Sequence, residues 1–199
     1  EVTYSRSLRT KYHHAPLTGL TAGTTYYYKI VSPFEPEGEN TVHAFTLPAP
    51  GVLRFSLIGD AQPTNPVEYV CSNRMAQSLA REKPGFIVQL GDSVHRGTIQ
   101  DYWHYTLRSW NPVGPSIPTQ RVMGNHDWGY DQGKSWRRFF NHPYVAPKKS
   151  YYSHDLEPAR LIMLDPYEDD ESMGAGQLAW LEEQLSTTPH GRWRPVVLH

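Results

Sequence analysis

Along the first quarter of the chain, short stretches rich in aromatic and β-branched side chains alternate with polar, turn-forming ones. Residues 24–32 (TTYYYKIVS) and 41–47 (TVHAFTL) read as strands, with GLTAG before the first and the polar PFEPEGEN between them. A pair of short strands needs a further face to pack on. Residues 1–47 are therefore expected to lean on the rest of the chain, or to close a sandwich whose first strands lie before Glu1. PAPG at 48–51 reads as a linker.

The pattern then changes. VLRFSLIGD (52–60) and GFIVQLGD (85–92) are apolar runs that end in Gly-Asp. Between them, residues 67–83 predict a helix, with apolar positions at Val67, Val70, Met75, Leu79 and Ala80. Strand, helix and strand in that order make a βαβ unit, with parallel strands covered on both faces. Residues 98–110 predict a second helix and 120–123 a short strand. KSYYSHDL and RLIMLDPY predict a hairpin or paired strands, 174–185 (GAGQLAWLEEQL) an amphipathic helix, and 193–199 a last buried strand. The expected architecture is an α/β layered domain over residues 52–199 behind a small all-β piece.

Composition narrows the function classes. The 199 residues carry 19 Lys plus Arg against 20 Asp plus Glu, a net charge of -1, which provides no bulk field for nucleic acid or anionic membrane. No apolar run is long enough to span a bilayer. The lone Cys71 forms no intrachain disulfide and does not fix the compartment. No signal peptide is present in the given sequence, which starts at Glu1 and stops at His199 straight after an apolar run. That ending is expected of a fragment.

Candidate chemistry gathers where apolar runs end. Asp60 follows LIG, Asp92 follows QLG, Asn125, His126 and Asp127 follow VMG, and His199 follows VVL. In α/β folds ligands sit outside the carboxyl ends of the strands, so residues far apart in sequence can converge there. Carboxylate, amide oxygen and imidazole form a mixed O/N donor set suited to divalent or trivalent ions. A central Asp92 has two oxygens with which to bridge a pair of ions, which would clamp a phosphoryl group. Glycines at 59, 91 and 124 precede the candidates and are expected to allow a sharp turn and leave room for a ligand. Taken singly, each Gly-Asp reads equally well as a turn or a helix cap, and His199 as a structural hydrogen-bonding group.

The ordered set Asp60, Asp92, Gly-Asn-His-Asp at 124–127 and His199 resembles the calcineurin-like metallophosphoesterase superfamily, and within it the purple acid phosphatases and their bacterial relatives. The fold implied is a layered β-sheet sandwich with flanking helices. YHHAPLTGLTAGTTYYYKI resembles the last strands of the fibronectin type III-like domain that precedes those catalytic domains. The resemblance implies that Asp60 binds one metal, Asp92 bridges two, and Asn125 and His199 bind the second. It makes His126 the residue that contacts phosphoryl oxygens and assists the leaving group, with Asp127 orienting it. The implied cofactors are two ions, Fe with Zn, Mn or Fe. The implied reaction is hydrolysis of a small phosphate monoester by hydroxide bridging the metals, in a secreted or extracytoplasmic protein. A phosphodiesterase or nucleotide phosphohydrolase, and a non-catalytic adhesion module with a decayed core, are the alternatives.

Two departures modify that expectation. Many superfamily members carry Asp-x-His where this chain has Gln62, and the purple acid phosphatases instead use a Tyr three residues after the bridging Asp, where this chain has His95. Either His95 or Gln62 is the replacement ligand, or His95 only lines the pocket, and the Tyr-to-iron colour band is expected to be missing. The family's Gly-His-x-His block has no counterpart in residues 1–199, so both ions are expected to be under-coordinated and the chain alone weakly active or inactive. Among weaker signals, Tyr102, Trp103, Trp136, Phe139 and Phe140 are expected to pack the core or wall the pocket. His13, His14, His104, His142 and His154 are expected to lie outside the centre. Arg137 and Arg138 are expected on a solvated face, and Asp169, Asp170 and Glu171 on a loop surface.

Overall fold

The computed structural model describes residues 14–31, 41–140, 150–169 and 172–199. His13, His142, Asp170 and Glu171 lie outside the described residues.

Strands β1 (Thr25–Tyr28) and β2 (His43–Thr46) pair antiparallel as a separate small sheet. Tyr26 stacks on Phe45, and the Tyr28 hydroxyl donates to the Pro115 carbonyl at 2.9 Å, tying this sheet to the main body.

A three-stranded parallel sheet follows, in the order β3 (Phe55–Ile58), β4 (Phe86–Gln89), β5 (Thr119–Arg121). The crossover from β3 to β4 is α1 (Pro66–Glu82). Asn65 caps it by accepting from the Val67 and Glu68 amides, Pro66 opens it, and Lys83 ends it in the left-handed region. The buried face of α1 is Ser72, Ala76 and Leu79, a 4-then-3 spacing that packs on Ile87, Trp110 and Val113. Of the expected apolar face, Leu79 is buried and Met75 and Ala80 pack beside it, whereas Val67 and Val70 point to solvent at 73% and 45% exposure. They lie on the opposite side of the helix from the Ala76 stripe. Only β4, the central strand, is buried on both faces; β3 is an edge strand and leaves Phe55 and Leu57 exposed.

The predicted helix at 98–110 is broken into α2 (Ile99–Asp101), a π-helical turn (Tyr102–Thr106) and α3 (Leu107–Ser109). After β5 come two short helices, α4 (Asn125–Trp128) and α5 (Lys134–Phe139). The second sheet pairs β6 (Tyr152–Leu156) antiparallel with β7 (Ala159–Met163), and β7 parallel with β8 (Val196–Val197); α6 (Ala175–Thr187) connects β7 to β8.

The two three-stranded sheets face one another. Phe86, Val88 and Val122 from the first meet Tyr152, Leu161, Met163 and Val197 from the second, and alternation along β4 sends Ile87 to the opposite, helix-covered side. The Tyr152 hydroxyl clasps β5 by accepting from the Arg121 amide at 2.9 Å and donating to the Arg121 carbonyl at 2.7 Å. The result is a layered β-sheet sandwich with helices on its flanks. Among the described residues no helix is long and apolar enough to cross a membrane.

Candidate metal centre

The carboxyl ends of β3, β4, β5 and β8 open on one side of the sandwich, and the chain leaves the first three through sharp loops. Two of the loops are forced. Asp60 and Asp92 both adopt left-handed backbone, with φ of 52° and 51°. For a non-glycine residue this costs on the order of 1 kcal/mol, and Asp tolerates it better than most. The strain thus sits on the aspartates themselves rather than on Gly59 and Gly124, the glycines before two of the candidates. Neither aspartate caps a helix, since Asn65 caps α1 and Thr98 caps α2.

Donor atoms of Asp60, Asp92 and His199 lie within 4.8 Å of one another, with Asp92 buried and Asp60 exposed. His199 turns its Nδ1 to the Leu90 carbonyl at 2.7 Å. A carbonyl only accepts, so the neutral ring carries its proton on Nδ1 and presents the Nε2 lone pair to the cluster. That Nε2 lies 3.0 Å from Asn125 Oδ1 and 3.5 Å from Asp92 Oδ2. Lone pairs and carboxylate charge thus converge on one small space, where the imidazoles of His126 and His199 both lie within 4.0 Å of Asp92 Oδ2. Gln62 joins them: its Nε2 meets Asp92 Oδ2 at 3.4 Å, while its Oε1 is buried without a protein partner. A hard or borderline cation fits this donor set and would offset its charge.

His126 sits on the rim, its Nε2 4.0 Å from Asp92 Oδ2 and its backbone amide donating to Asp92 Oδ1 at 2.9 Å. The ring stacks on His95 with centroids 5.0 Å apart, and its Nδ1 meets the His95 carbonyl at 2.6 Å. The partner that orients the imidazole is therefore the His95 carbonyl. His95 itself is exposed and stands outside the three-donor cluster.

Asp127 points the other way, into the protein. Fully buried, its carboxylate accepts from the Tyr102 hydroxyl at 2.8 Å, from the Ser93 amide and from the Gly124 amide at 3.1 Å. Burial pushes its carboxyl up to about 6, against the pull of these three donors. Behind it the Arg121 guanidinium lies over the Phe140 ring at 4.4 Å and the Trp110 ring at 5.3 Å, and burial lowers it to about 10.

Of the aromatic residues expected in the core, Tyr102 and Trp136 are fully buried while Trp103 is half exposed. His104 is exposed, and His14 contacts the Arg138 carbonyl at 2.9 Å, away from the centre. Arg137 reaches the Gln132 carbonyl and Ser150 and lies near the Trp128 ring. Sequence reasoning missed the bonds of Tyr102 and Ser93 to Asp127, the bond of Thr106 to Ser93, and the buried Arg121 behind them. A buried phenol whose partner lies 25 residues away carries no local signature that separates it from a core aromatic.

The chain is similar to several characterised proteins. Purple acid phosphatase 23 of Arabidopsis thaliana is 24% identical over 94% of this chain and 48% of its own length. Purple acid phosphatase 22 of the same plant is 26% identical over 95% of this chain and 44% of its own length. The chain thus spans about half the length of the curated relatives it matches. Among solved structures, purple acid phosphatase PPD1 from yellow lupin superimposes with a TM-score of 0.65 at 19% identity, covering 80% of this chain and 33% of that one. GAP50, the anchor in the inner membrane complex of Plasmodium, superimposes with a TM-score of 0.52 at 18% identity, covering 73% of this chain and 54% of that one. At those identities the structures speak to the fold alone. The family model described as calcineurin-like phosphoesterase matches residues 53–197, from just before β3 to the end of β8, and the chain belongs to that family.

Proposed function

We propose that the protein hydrolyses phosphate esters, with phosphomonoesters as the preferred class, at a centre of two metal ions. The observation that carries this reading is the convergence of Asp60, Asp92 and His199 within 4.8 Å from three separate strand ends. Asp60 and Asp92 would hold one ion, and Asp92, Asn125 and His199 the second, with His95 or Gln62 completing the first. Gln62 is supported by its contact with Asp92, and His95 by its place three residues beyond that aspartate. The chemistry that bound ions supply at such a site is polarisation of the phosphoryl oxygens and activation of water.

The chain's own groups do the rest. The two left-handed aspartates aim their carboxylates into the cleft from loops anchored at both ends. His126, its Nδ1 proton committed to the His95 carbonyl, leaves Nε2 free to take up a proton and pass it to the departing alkoxide oxygen. The positive ring that exists before this transfer also offsets charge on the phosphoryl oxygens. With a net charge of -1, the bulk field of the protein does not attract an anionic substrate, so attraction must come from the centre itself.

Residues 1–47 are assigned in this reading to a fibronectin type III-like domain and 48–51 to a linker before the catalytic domain at 52–199. Antiparallel pairing of β1 and β2 supports that assignment. A secreted protein with iron paired with Zn, Mn or Fe follows from the same family resemblance.

Elemental analysis and p-nitrophenyl phosphate turnover of the protein, alongside Asp92→Asn, test the reading. Metal and turnover are expected in the full-length parent, with weak or no turnover from residues 1–199 alone, and both should be lost in the full-length variant. Turnover that persists after exhaustive chelation would overturn the metal mechanism, and faster cleavage of bis-p-nitrophenyl phosphate would reassign the substrate to diesters. Fewer than one ion per full-length chain would favour a non-catalytic module.

A further inference from the structure

Asp92 holds a costly backbone conformation, and something must over-determine it. The residue that follows, Ser93, is pinned on both sides of its peptide. Its amide donates to the Asp127 carboxylate at 3.1 and 3.2 Å, and its carbonyl accepts from the Thr106 hydroxyl. The Asp127 carboxylate is fixed in turn by the Tyr102 hydroxyl at 2.8 Å and by the Gly124 amide. Tyr102 and Thr106 are the first and last residues of the π-helical turn, closed by the Leu107 amide on the Tyr102 carbonyl. Both are essentially inaccessible, at 0% and 1% exposure, and neither is among the donor residues of the cluster. Single π turns inside helices recur at functional sites because they re-aim side chains at a cost in helix regularity.

We infer that Tyr102 and Thr106 are positioning residues of the metal centre: the π turn grips the Ser93 peptide from both ends, once directly and once through Asp127, and so holds Asp92 in its left-handed, ligand-presenting conformation. The Asp127 arm reaches further, because its Gly124 bond anchors the start of α4 and with it Asn125 and His126. One short helical segment thereby sets the spacing between two ligand loops that come from different strands.

This inference rests on the proposed metal centre, and its test separates the two. Zinc binding is titrated calorimetrically for the parent, Tyr102→Phe, Thr106→Val, Thr106→Ser and Val113→Ala, with amide hydrogen exchange at Ser93 and Gly124 and thermal midpoints for each. Tyr102→Phe and Thr106→Val are expected to weaken zinc binding by about tenfold or more, as loss of ligand-supporting partners does elsewhere. Ser93 exchange should speed up in both, and Thr106→Ser should restore affinity and protection. Val113→Ala, a core truncation outside this network, should lower the thermal midpoint and leave zinc affinity unchanged. Parental zinc affinity and Ser93 protection in Tyr102→Phe and Thr106→Val would overturn the inference. If the parent binds no zinc, the metal reading is in trouble instead, and Ser93 exchange alone decides the positioning role: faster in the variants supports it, unchanged refutes it.

Discussion

Gly124 lies so tightly against Asp92 that a Cβ on it would fall 2.9 Å from the Asp92 carboxyl carbon, and closer still to its Oδ1 and backbone nitrogen. Gly124 has an ordinary extended backbone, with φ of -103°, so glycine is required here by space and not by conformation. The reading of this residue as a turn-maker was thus half right. Room for a ligand is its role, and the occupant of that room is the carboxylate that unites the centre.

Gly124→Ala is therefore expected to displace the Asp92 carboxylate by a sizeable fraction of an ångström. Misplacement on that scale costs about 100-fold in rate. Isothermal titration with zinc should show the loss in binding too, while circular dichroism keeps its parental shape. Parental zinc affinity in the variant would show that Asp92 is not held where the centre needs it.

Gly91 makes a related contact with a different partner. A Cβ there would lie 2.7 Å from His199 Nδ1, the atom that holds the Leu90 carbonyl, and φ of +86° already disfavours any side chain. Gly91→Ala should weaken zinc binding by about tenfold or more through loss of the ring's anchor. A double-mutant cycle with His199→Ala checks the route: Gly91→Ala should cost little once the imidazole is gone. Full additivity would place the damage elsewhere.

The central strand β4 and the polar strand ends were legible because burial on both faces writes an apolar run, as in 86–88, and because Asn-His-Asp after glycine is a conspicuous use of polar groups. The hairpin of β6 and β7 and the helix α6 were legible for similar local reasons. What was hidden comes from partners distant in sequence. Val67 and Val70 read as part of one buried face with Leu79 until Ser72 and Ala76 take their place beside it. Tyr102 read as one more aromatic until its hydroxyl meets Asp127, and the His95 carbonyl that orients His126 has no side-chain signature at all.

Asn65 controls the helix that covers the outer face of the parallel sheet. Its Oδ1 accepts from the Val67 and Glu68 amides at 3.0 and 3.1 Å, so Asn65→Ala leaves two exposed donors without their cap. A loss of about 1 kcal/mol is expected by denaturant titration. Zinc affinity should not change, because α1 reaches the centre only through the loop at 61–65. A loss of affinity would mean that the start of α1 also sets the pose of Asp60 and Gln62.

His154 provides a pH-dependent weakness outside the donor cluster. It follows Tyr152 by two residues on the core-facing side of β6, its ring edge-on to the Tyr152 ring at 5.4 Å, and burial holds its pKa below the ordinary 6.5 despite the neighbouring Asp155. In the unfolded chain the imidazole takes a proton near pH 6.5, while in the folded protein it resists. For this group the unfolded state thus binds more protons in that window, and its contribution to stability falls as pH drops below 6.5 until the folded imidazole titrates as well. Asp127, raised to about 6, acts in the opposite direction in parent and variant alike. One proton bounds the effect at about 1.4 kcal/mol per pH unit. Asp155 adds to the loss only at much lower pH, because its bonds to Arg160 hold its pKa below 3.8 and keep it ionised. Urea midpoints of the parent and His154→Gln at pH 7 and pH 5 isolate the histidine from the imidazoles of the centre. The parent should lose more stability between the two pH values than the variant, and equal losses would show that His154 takes up its proton as readily in the folded protein as in the unfolded chain.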